Sequence, residues 1–160
     1  MIRLKDLLEV KISMLVPNID TDHYYNDPDD EYAQNLDSYL EMDGIDWRQE
    51  SSLELLSPNY IEPSEWNSSS ADPDNPKSMQ IAEKDPDTIP PITVLKDGNK
   101  YYAIDGIHRS YAFRKIGMMV PALIMSKRMY DSLATSDNQY TNFMLTKYKD
   151  AEVPKPVAIK

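Results

Sequence analysis

The stretch that decides the fold reads Tyr102-Ala103-Ile104-Asp105-Gly106-Ile107-His108-Arg109-Ser110-Tyr111-Ala112. A short apolar strand passes through Asp-Gly into His-Arg-Ser, which opens a segment with the apolar spacing of a helix. A glycine turn there directs the first backbone N–H groups of the helix, together with histidine and arginine side chains, toward one point. The start of a helix is a natural anion site, and on such loops the anion is most often a nucleotide phosphate.

Strand, turn and helix signals continue on both sides of this stretch. Lys96-Asp97-Gly98-Asn99 is typical of a hairpin turn, and Gly117 of a left-handed helix end. Near the termini the pattern predicts a strand over Glu9–Leu15 and a loose tail from Pro154. The other predicted strands are Leu53–Leu56, Ile92–Leu95, Lys100–Ile104 and Val120–Met125. The first predicted helix is capped by Asp29 or Asp30 and ends at Gly44. The other predicted helices are Pro76–Lys84, Ile107–Ile116, Lys127–Leu133 and Tyr140–Tyr148.

Composition excludes several classes of protein. The chain has 160 residues, enough for one core, and contains no cysteine. A disulfide scaffold, a thiolate zinc site and a cysteine nucleophile are therefore excluded. No apolar run approaches the roughly 18 residues of a membrane span, and the first residues do not resemble a signal peptide. We therefore predict a cytoplasmic protein without a membrane partner.

Charge is divided unevenly along the chain. Residues 1–87 hold 21 of the 27 acidic residues and 6 of the 17 Lys and Arg, which gives −15. Residues 88–160 hold 6 acidic and 11 basic residues, which gives +5. A polyanionic ligand is therefore attracted to the C-terminal half, whereas the acidic half argues against nucleic acid as a partner.

The order of motifs from Pro90 to Met125 resembles the ParB/sulfiredoxin superfamily. It runs Pro-Pro-Ile-x-Val, a turn, Tyr-Tyr-Ala-Ile-Asp-Gly-x-His-Arg, a helix, Gly, and Val-Pro-Ala-Leu-Ile. Tyr60–Trp66 is similar to the opening strand of that superfamily and the residues just after it. The resemblance implies an α+β fold with a small mixed sheet and helices packed on it. We divide the chain accordingly into an acidic N-terminal extension (1–50), this core (51–126), and C-terminal helices and tail (127–160).

The residues present argue against two activities of the superfamily. Sulfiredoxin carries its catalytic cysteine just before the His-Arg pair, where this chain has Ile107. Complete ParB partition proteins carry an arginine-rich box at this junction and a helix-turn-helix domain after it. Here His108-Arg109 replaces the arginine pair, and only about 35 residues follow Met125. Sulfinic acid reduction is therefore excluded, and we do not expect a complete partition protein.

The motif is closest to that of the free serine kinases of the superfamily, which use Asp-Gly-His-His-Arg. Their catalytic glutamate follows the opening strand, a place that Glu65 matches here. The resemblance implies that Glu65 is the base that activates a hydroxyl, with Asp105 and His108 as further catalytic residues. Because Ile107 replaces the first histidine of the kinase motif, serine itself is in doubt as the substrate.

The same resemblance implies a set of ligands and site residues. ATP or ADP is the expected nucleotide, Mg²⁺ the expected metal at Asp105, and a small-molecule or protein hydroxyl the expected acceptor. Three of these residues also have a purely structural explanation. Asp105 could cap the helix, Ser110 could simply lie in the first helical turn, and Glu65 could be an ordinary surface residue among many acids. The residues expected to bind the nucleotide are Gly106, Ile107, His108, Arg109 and Ser110.

Three functions compete with a Mg²⁺-dependent phosphotransferase or nucleotide hydrolase. One is a nucleotide-gated module that binds a partner, or forms a homodimer, without turnover. Another is a ParB-like nuclease, for which the basic residues near Arg109 would supply the binding face. The last is an interaction protein whose acidic, tyrosine-rich residues 20–50 face a basic partner.

Overall fold

The computed structural model describes residues 9–17, 19, 36–65, 72–133 and 137–160. These form a five-stranded mixed sheet with helices packed on it, which confirms the predicted α+β class. The strands are β1 (Ser51–Leu56), β2 (Ile61–Pro63), β3 (Ile92–Asp97), β4 (Lys100–Asp105) and β5 (Val120–Ser126), and the helices are α1 (Ile12–Leu15), α2 (Leu36–Met42), α3 (Trp47–Glu50), α4 (Pro76–Ala82), α5 (Ile107–Ile116), α6 (Lys127–Ser132) and α7 (Asp137–Lys147).

The strands lie in the order β1-β5-β3-β4-β2. The pairs β1–β5 and β3–β4 are antiparallel, whereas β3–β5 and β2–β4 are parallel. Strand β5 is buried along almost its whole length, from Val120 to Met125. Its continuous apolar sequence follows from this position, because a strand covered on both faces gains from an apolar residue at every position.

The two faces of the sheet carry separate apolar cores. Neighbouring residues of β4 and β5 alternate between these cores, because successive side chains of a strand point to opposite faces. The first core joins the sheet to α1, α2, α6 and α7 through Ile12, Leu36, Leu40, Ile45, Ile104, Leu123, Met125, Met129, Leu133, Tyr140, Phe143 and Met144. The second joins it to α5 through Ile61, Ile89, Ile92, Val94, Ala103, Ile107, Tyr111, Phe113, Val120, Ala122 and Ile124.

A β-bulge interrupts the hairpin just before the strand-to-helix turn. Val94 lies opposite Ala103, but the next pair is Thr93 with Asp105, so Ile104 is an extra residue in β4. A bulge bends its strand and turns the following side chains to a new direction. The bulge thereby sets the direction in which β4 delivers Asp105 to the turn.

The strand predicted over Glu9–Leu15 is wrong, because Ile12–Leu15 form the short helix α1. Ile12 is fully buried while Met14 is 66% exposed. The Ile12 and Ser13 amides donate to the carbonyls of Ala151 and Lys149, at 3.2 and 2.8 Å. Residues 149 and 151, which are distant in the sequence, therefore supply the backbone partners of this segment, which was predicted to be a strand.

The prediction of a loose tail from Pro154 is also wrong. The Met119 amide donates to the Val157 carbonyl at 2.7 Å, and the Ile159 amide donates to the Gly117 carbonyl at 2.9 Å. These bonds form an antiparallel bridge between Met118 and Ala158. Paired backbone groups hold the tail in place although none of the side chains of residues 154–160 is fully buried.

The remaining predicted elements are present, with ends that differ by a few residues. The helix predicted to begin at Asp29 or Asp30 is described from Leu36 onward as α2, and residues 20–35 lie outside the described part. The division at residues 50 and 126 stays a prediction. Within the described ranges, the helices are too short or too polar to cross a bilayer.

Candidate phosphate site at the start of helix α5

Gly106 makes the turn from β4 into α5 and has a φ angle of +100°, in the left-handed region. A Cβ atom at this position would lie 2.6 Å from Ile92 Cγ2 and 2.9 Å from Arg109 Nη2. Glycine is therefore required both for the backbone angle and for the close approach of β3. Helix α5 starts without a side-chain cap, so its first turn presents backbone N–H groups for an outside acceptor.

Arg109 is held by groups of the protein itself. Its Nη1 atom donates to the carbonyls of Pro90 and Pro91 at 3.1 and 2.7 Å, and its Nη2 atom donates to Asp105 Oδ2 at 2.8 Å. Burial lowers the pKa of Arg109 from its ordinary value, and the charge of Asp105 opposes this change. Arg109 thus ties the segment before β3 to the turn, and its contact with a phosphate stays a prediction.

Asp105 ends β4 with a side chain that is 48% exposed. Its pairing with Thr93 and its ion pair with Arg109 fix the carboxylate beside the turn. Among the described residues there is no cluster of three or more acidic or histidine side chains that could hold a metal ion. Asp105 could therefore supply one carboxylate to a metal, and the other ligands would have to come from a bound ligand and water.

His108 lies in the first turn of α5 and is partly exposed. Its Nδ1 atom is 3.4 Å from the hydroxyl oxygen of Ser78, a fully buried residue of α4. Ser78 could not be identified from the sequence, because nothing in the pattern around Pro76 distinguishes it from an ordinary helical serine. The contact leaves the other ring nitrogen, Nε2, for interaction with a ligand.

Ile107 and Ser110 point into the protein. The Ile107 side chain is 3% exposed and belongs to the second core, so only its backbone N–H can serve an anion. Ser110 is 1% exposed, and its Oγ atom has no hydrogen-bond partner among the described residues. The Ser110 amide donates to the Gly106 carbonyl at 2.9 Å. The first turn therefore offers a phosphate the amides of residues 107–109 ahead of the Ser110 amide.

Glu65 follows β2 directly after Ser64 and is exposed. Strand β2 runs parallel to β4, with Ile61 opposite Tyr101 and Pro63 opposite Ala103. The carboxyl ends of parallel strands meet at the same edge of a sheet, so Glu65 and the turn at Gly106 leave the sheet at one edge. That edge is the usual location of ligand sites in open sheets with helices on both faces.

Three surface clefts of the described structure are lined by other residues. One lies between residues 86–89 and the tail at 152–156, and another between α2 and Lys147. The third lies between the turn at Ser57–Tyr60 and the tail at 157–160. The candidate site is therefore defined by the turn and the helix terminus rather than by one of these clefts.

No family model matches the chain, and no curated protein matches it significantly. Among solved structures, the crystal structure of sulfiredoxin from Arabidopsis thaliana is similar to this chain, with a TM-score of 0.39 and 20% sequence identity. The similarity covers 52% of this chain and 98% of the plant protein. The resemblance to the ParB/sulfiredoxin superfamily and the serine kinase-like subtype both stay predictions.

Proposed function

We propose that this protein binds a nucleotide through its phosphates at the N-terminus of α5 and transfers or hydrolyses the terminal phosphoryl group with Mg²⁺. The observation that carries the proposal is the turn at Gly106, where a left-handed glycine opens an uncapped ten-residue helix. Helix starts of this kind bind phosphate through backbone N–H groups and the positive end of the helix dipole. The motif Asp105-Gly106-Ile107-His108-Arg109 resembles the phosphate loop of free serine kinases.

The residues around the turn fit the needs of phosphoryl transfer, which depends on positioning and charge stabilisation more than on covalent chemistry. The amides of residues 107–109 and the His108 ring would hold phosphate oxygens. Arg109, bound to Asp105 and to two carbonyls, would keep the turn in shape. Glu65, at the same edge of the sheet, would accept the proton of the attacking hydroxyl or water.

Magnesium fits the donor set, because Asp105 offers a half-exposed carboxylate beside the proposed phosphate position. Mg²⁺ is commonly held by one or two carboxylates together with phosphate oxygens and water. The bound ion would supply charge neutralisation on the phosphates. Asp105 in turn would be oriented for this task by its hydrogen bond from Arg109.

Thermal unfolding with ATP, ADP, CTP and GTP, each with and without Mg²⁺, tests the binding half of the proposal. A ligand that binds only the native state raises its melting temperature. We expect an increase with at least one nucleotide, a smaller increase in His108→Ala, where the backbone amides of the turn remain, and an unchanged increase in Gln80→Ala, a change at an exposed residue of α4. If no nucleotide raises the melting temperature, the proposed function is rejected.

Phosphate release and phosphoryl transfer to added hydroxyl compounds test the catalytic half. We expect Glu65→Gln to abolish turnover while the nucleotide-induced thermal shift stays close to that of the unchanged protein. This split would separate proton abstraction from binding. Turnover that persists in Glu65→Gln would contradict the assigned role of Glu65.

Binding without turnover is the second candidate, and the contacts of Arg109 favour it. The guanidinium donates to two carbonyls and one carboxylate. Because these N–H groups are occupied and Asp105 compensates the positive charge, Arg109 can do little to stabilise the charge of a transition state. This candidate predicts a thermal shift with a nucleotide but neither phosphate release nor a transferred product. A nucleotide-dependent change in molecular mass would then indicate a homodimer or a bound partner.

A further inference from the structure

Two polar contacts join the region of helix α4 to opposite ends of helix α5. Near the start of α4, Asp74 accepts from Lys115 at 3.3 Å. Farther along α4, the Ser78 hydroxyl lies 3.4 Å from His108 Nδ1. Asn75 caps α4 by accepting from the Lys77 amide at 2.9 Å. Ser78 is therefore placed by a capped helix, not by a free loop, directly beside the imidazole of His108.

The hydrogen of the Ser78 hydroxyl needs an acceptor, because the side chain is fully buried. A serine hydroxyl has one hydrogen to donate, and leaving a buried donor unpaired costs about 1–3 kcal/mol. Among the described residues its partner is His108 Nδ1. If Nδ1 carried a hydrogen and donated to Ser78, the serine hydrogen would have no acceptor in this part of the chain.

We infer that Ser78 is a positioning residue that donates its hydroxyl hydrogen to His108 Nδ1 and thereby selects the imidazole tautomer with its hydrogen on Nε2. The inference deepens the proposed function and rests on it only for the identity of the ligand. His108 Nε2 then donates a hydrogen bond outward. The chemistry that it recognises is a phosphate oxygen of the nucleotide.

A donating Nε2 also limits what His108 does in the reaction. A nitrogen that carries a hydrogen has no lone pair for a substrate proton, so His108 does not act as the general base. His108 serves as a hydrogen-bond donor to the phosphates, and proton abstraction is left to Glu65. Ser78 acts only through His108 and touches no reacting atom.

Nitrogen NMR of the imidazole tests this inference without any nucleotide. The chain has two histidines, so the His23→Gln variant leaves the signals of His108 alone. Above the pH range of imidazole ionisation, we expect the hydrogen on Nε2 and an Nδ1 signal shifted as for a hydrogen-bond acceptor. In Ser78→Ala the Nδ1 signal should move to that of a free acceptor. A hydrogen on Nδ1, or an Nδ1 signal unchanged by Ser78→Ala, would overturn the inference.

A double-mutant cycle tests the functional consequence with ATP as the probe. Loss of one positioning hydrogen bond should weaken ATP binding about 3- to 10-fold in Ser78→Ala. The same change should have no further effect in a His108→Ala background, because Ser78 acts through the ring. Equal effects in both backgrounds would overturn the positioning role. If the unchanged protein binds no nucleotide, the proposed function fails, while the NMR result still decides the state of His108.

Discussion

Gly106 has a left-handed backbone and no space for a side chain. For any other residue, the free-energy cost of backbone strain therefore adds to the cost of steric contact. The Gly106→Ala variant should lose about 2–5 kcal/mol of unfolding free energy, from backbone strain and from the contact with Ile92. Gly98→Ala is the matched control, because Gly98 has a φ of +60° but no atom within 4 Å of a Cβ. It should lose only about 1–2 kcal/mol in urea unfolding. Equal losses would contradict the role of the close approach.

Arg109 should matter for stability whether or not a phosphate binds. Arg109→Lys cannot reproduce the paired bonds to Pro90, Pro91 and Asp105, so we expect a loss of about 2–4 kcal/mol in unfolding free energy. The control is Arg114→Lys on the same helix, where the exposed guanidinium donates one bond, to the Pro58 carbonyl. That change should cost less than about 1 kcal/mol. A similar cost for both variants would reject the structural role of Arg109.

At the residue scale, the sequence predicted the features of the turn that depend on neighbouring residues. It did not predict the contacts between residues that are distant in the sequence. The left-handed glycine and the helix start could be predicted because both depend on neighbouring residues. The partners of Arg109 are carbonyls 18 and 19 residues away, and carbonyls leave no signature in a sequence. Ser78 lies 30 residues from His108, and its burial arises only when α4 packs on α5.

The C-terminal tail is held by backbone bonds, and its removal should show this. Deletion of residues 157–160 removes the bonds between Val157 and Met119 and between Ile159 and Gly117. We expect a loss of about 1–3 kcal/mol in unfolding free energy, with faster hydrogen exchange of the Met119 amide. Val157→Ala is the control, since this half-exposed side chain is not needed for the backbone bond. A protected Met119 amide in the deletion variant would contradict the bridge.

At the element scale, predictions were right where local end signals and apolar pattern agree. Helix Ile107–Ile116 has a glycine on each side and was predicted with its correct ends. The strand predicted at Glu9–Leu15 failed because the alternation that suggested it does not reflect burial, since Ile12 is buried but Met14 is exposed. The prediction of a loose tail failed for a different reason. Backbone pairing with Gly117 and Met119 leaves no pattern in the side chains that the sequence could show.

At the scale of the whole molecule, Tyr148, which packs against the first core, should limit the stability of the protein at alkaline pH. Burial raises the pKa of Tyr148, although the hydrogen bond with Ser51 partly opposes it. Between the unfolded value, about 10, and the higher folded value, the folded state keeps a proton that the unfolded state has lost. Unfolding free energy should therefore be constant with respect to this group below pH 10 and fall above it.

The Tyr148→Phe variant isolates this contribution. It removes the titrating group while keeping the ring that packs edge-on against Trp47 at 5.4 Å. Above pH 10 its unfolding free energy, measured in urea, should fall less steeply than that of the unchanged protein. Identical slopes would show that Tyr148 does not contribute to the alkaline loss.

The mixed topology of the sheet has a consequence for the order in which the molecule assembles. Hairpin β3–β4 pairs Asp97 with Lys100, whereas β1–β5 joins Leu56 to Val120 and Ser51 to Met125, 64 and 74 residues apart. Closing a short loop costs less entropy, so the hairpin should precede the outer strand in the folding transition state. Folding φ-values should then be higher for Ala103→Gly than for Leu53→Ala, and the reverse order would contradict this. The turn at Gly106 directly follows β4, so on this prediction the proposed phosphate site would form together with the folding nucleus and not after it.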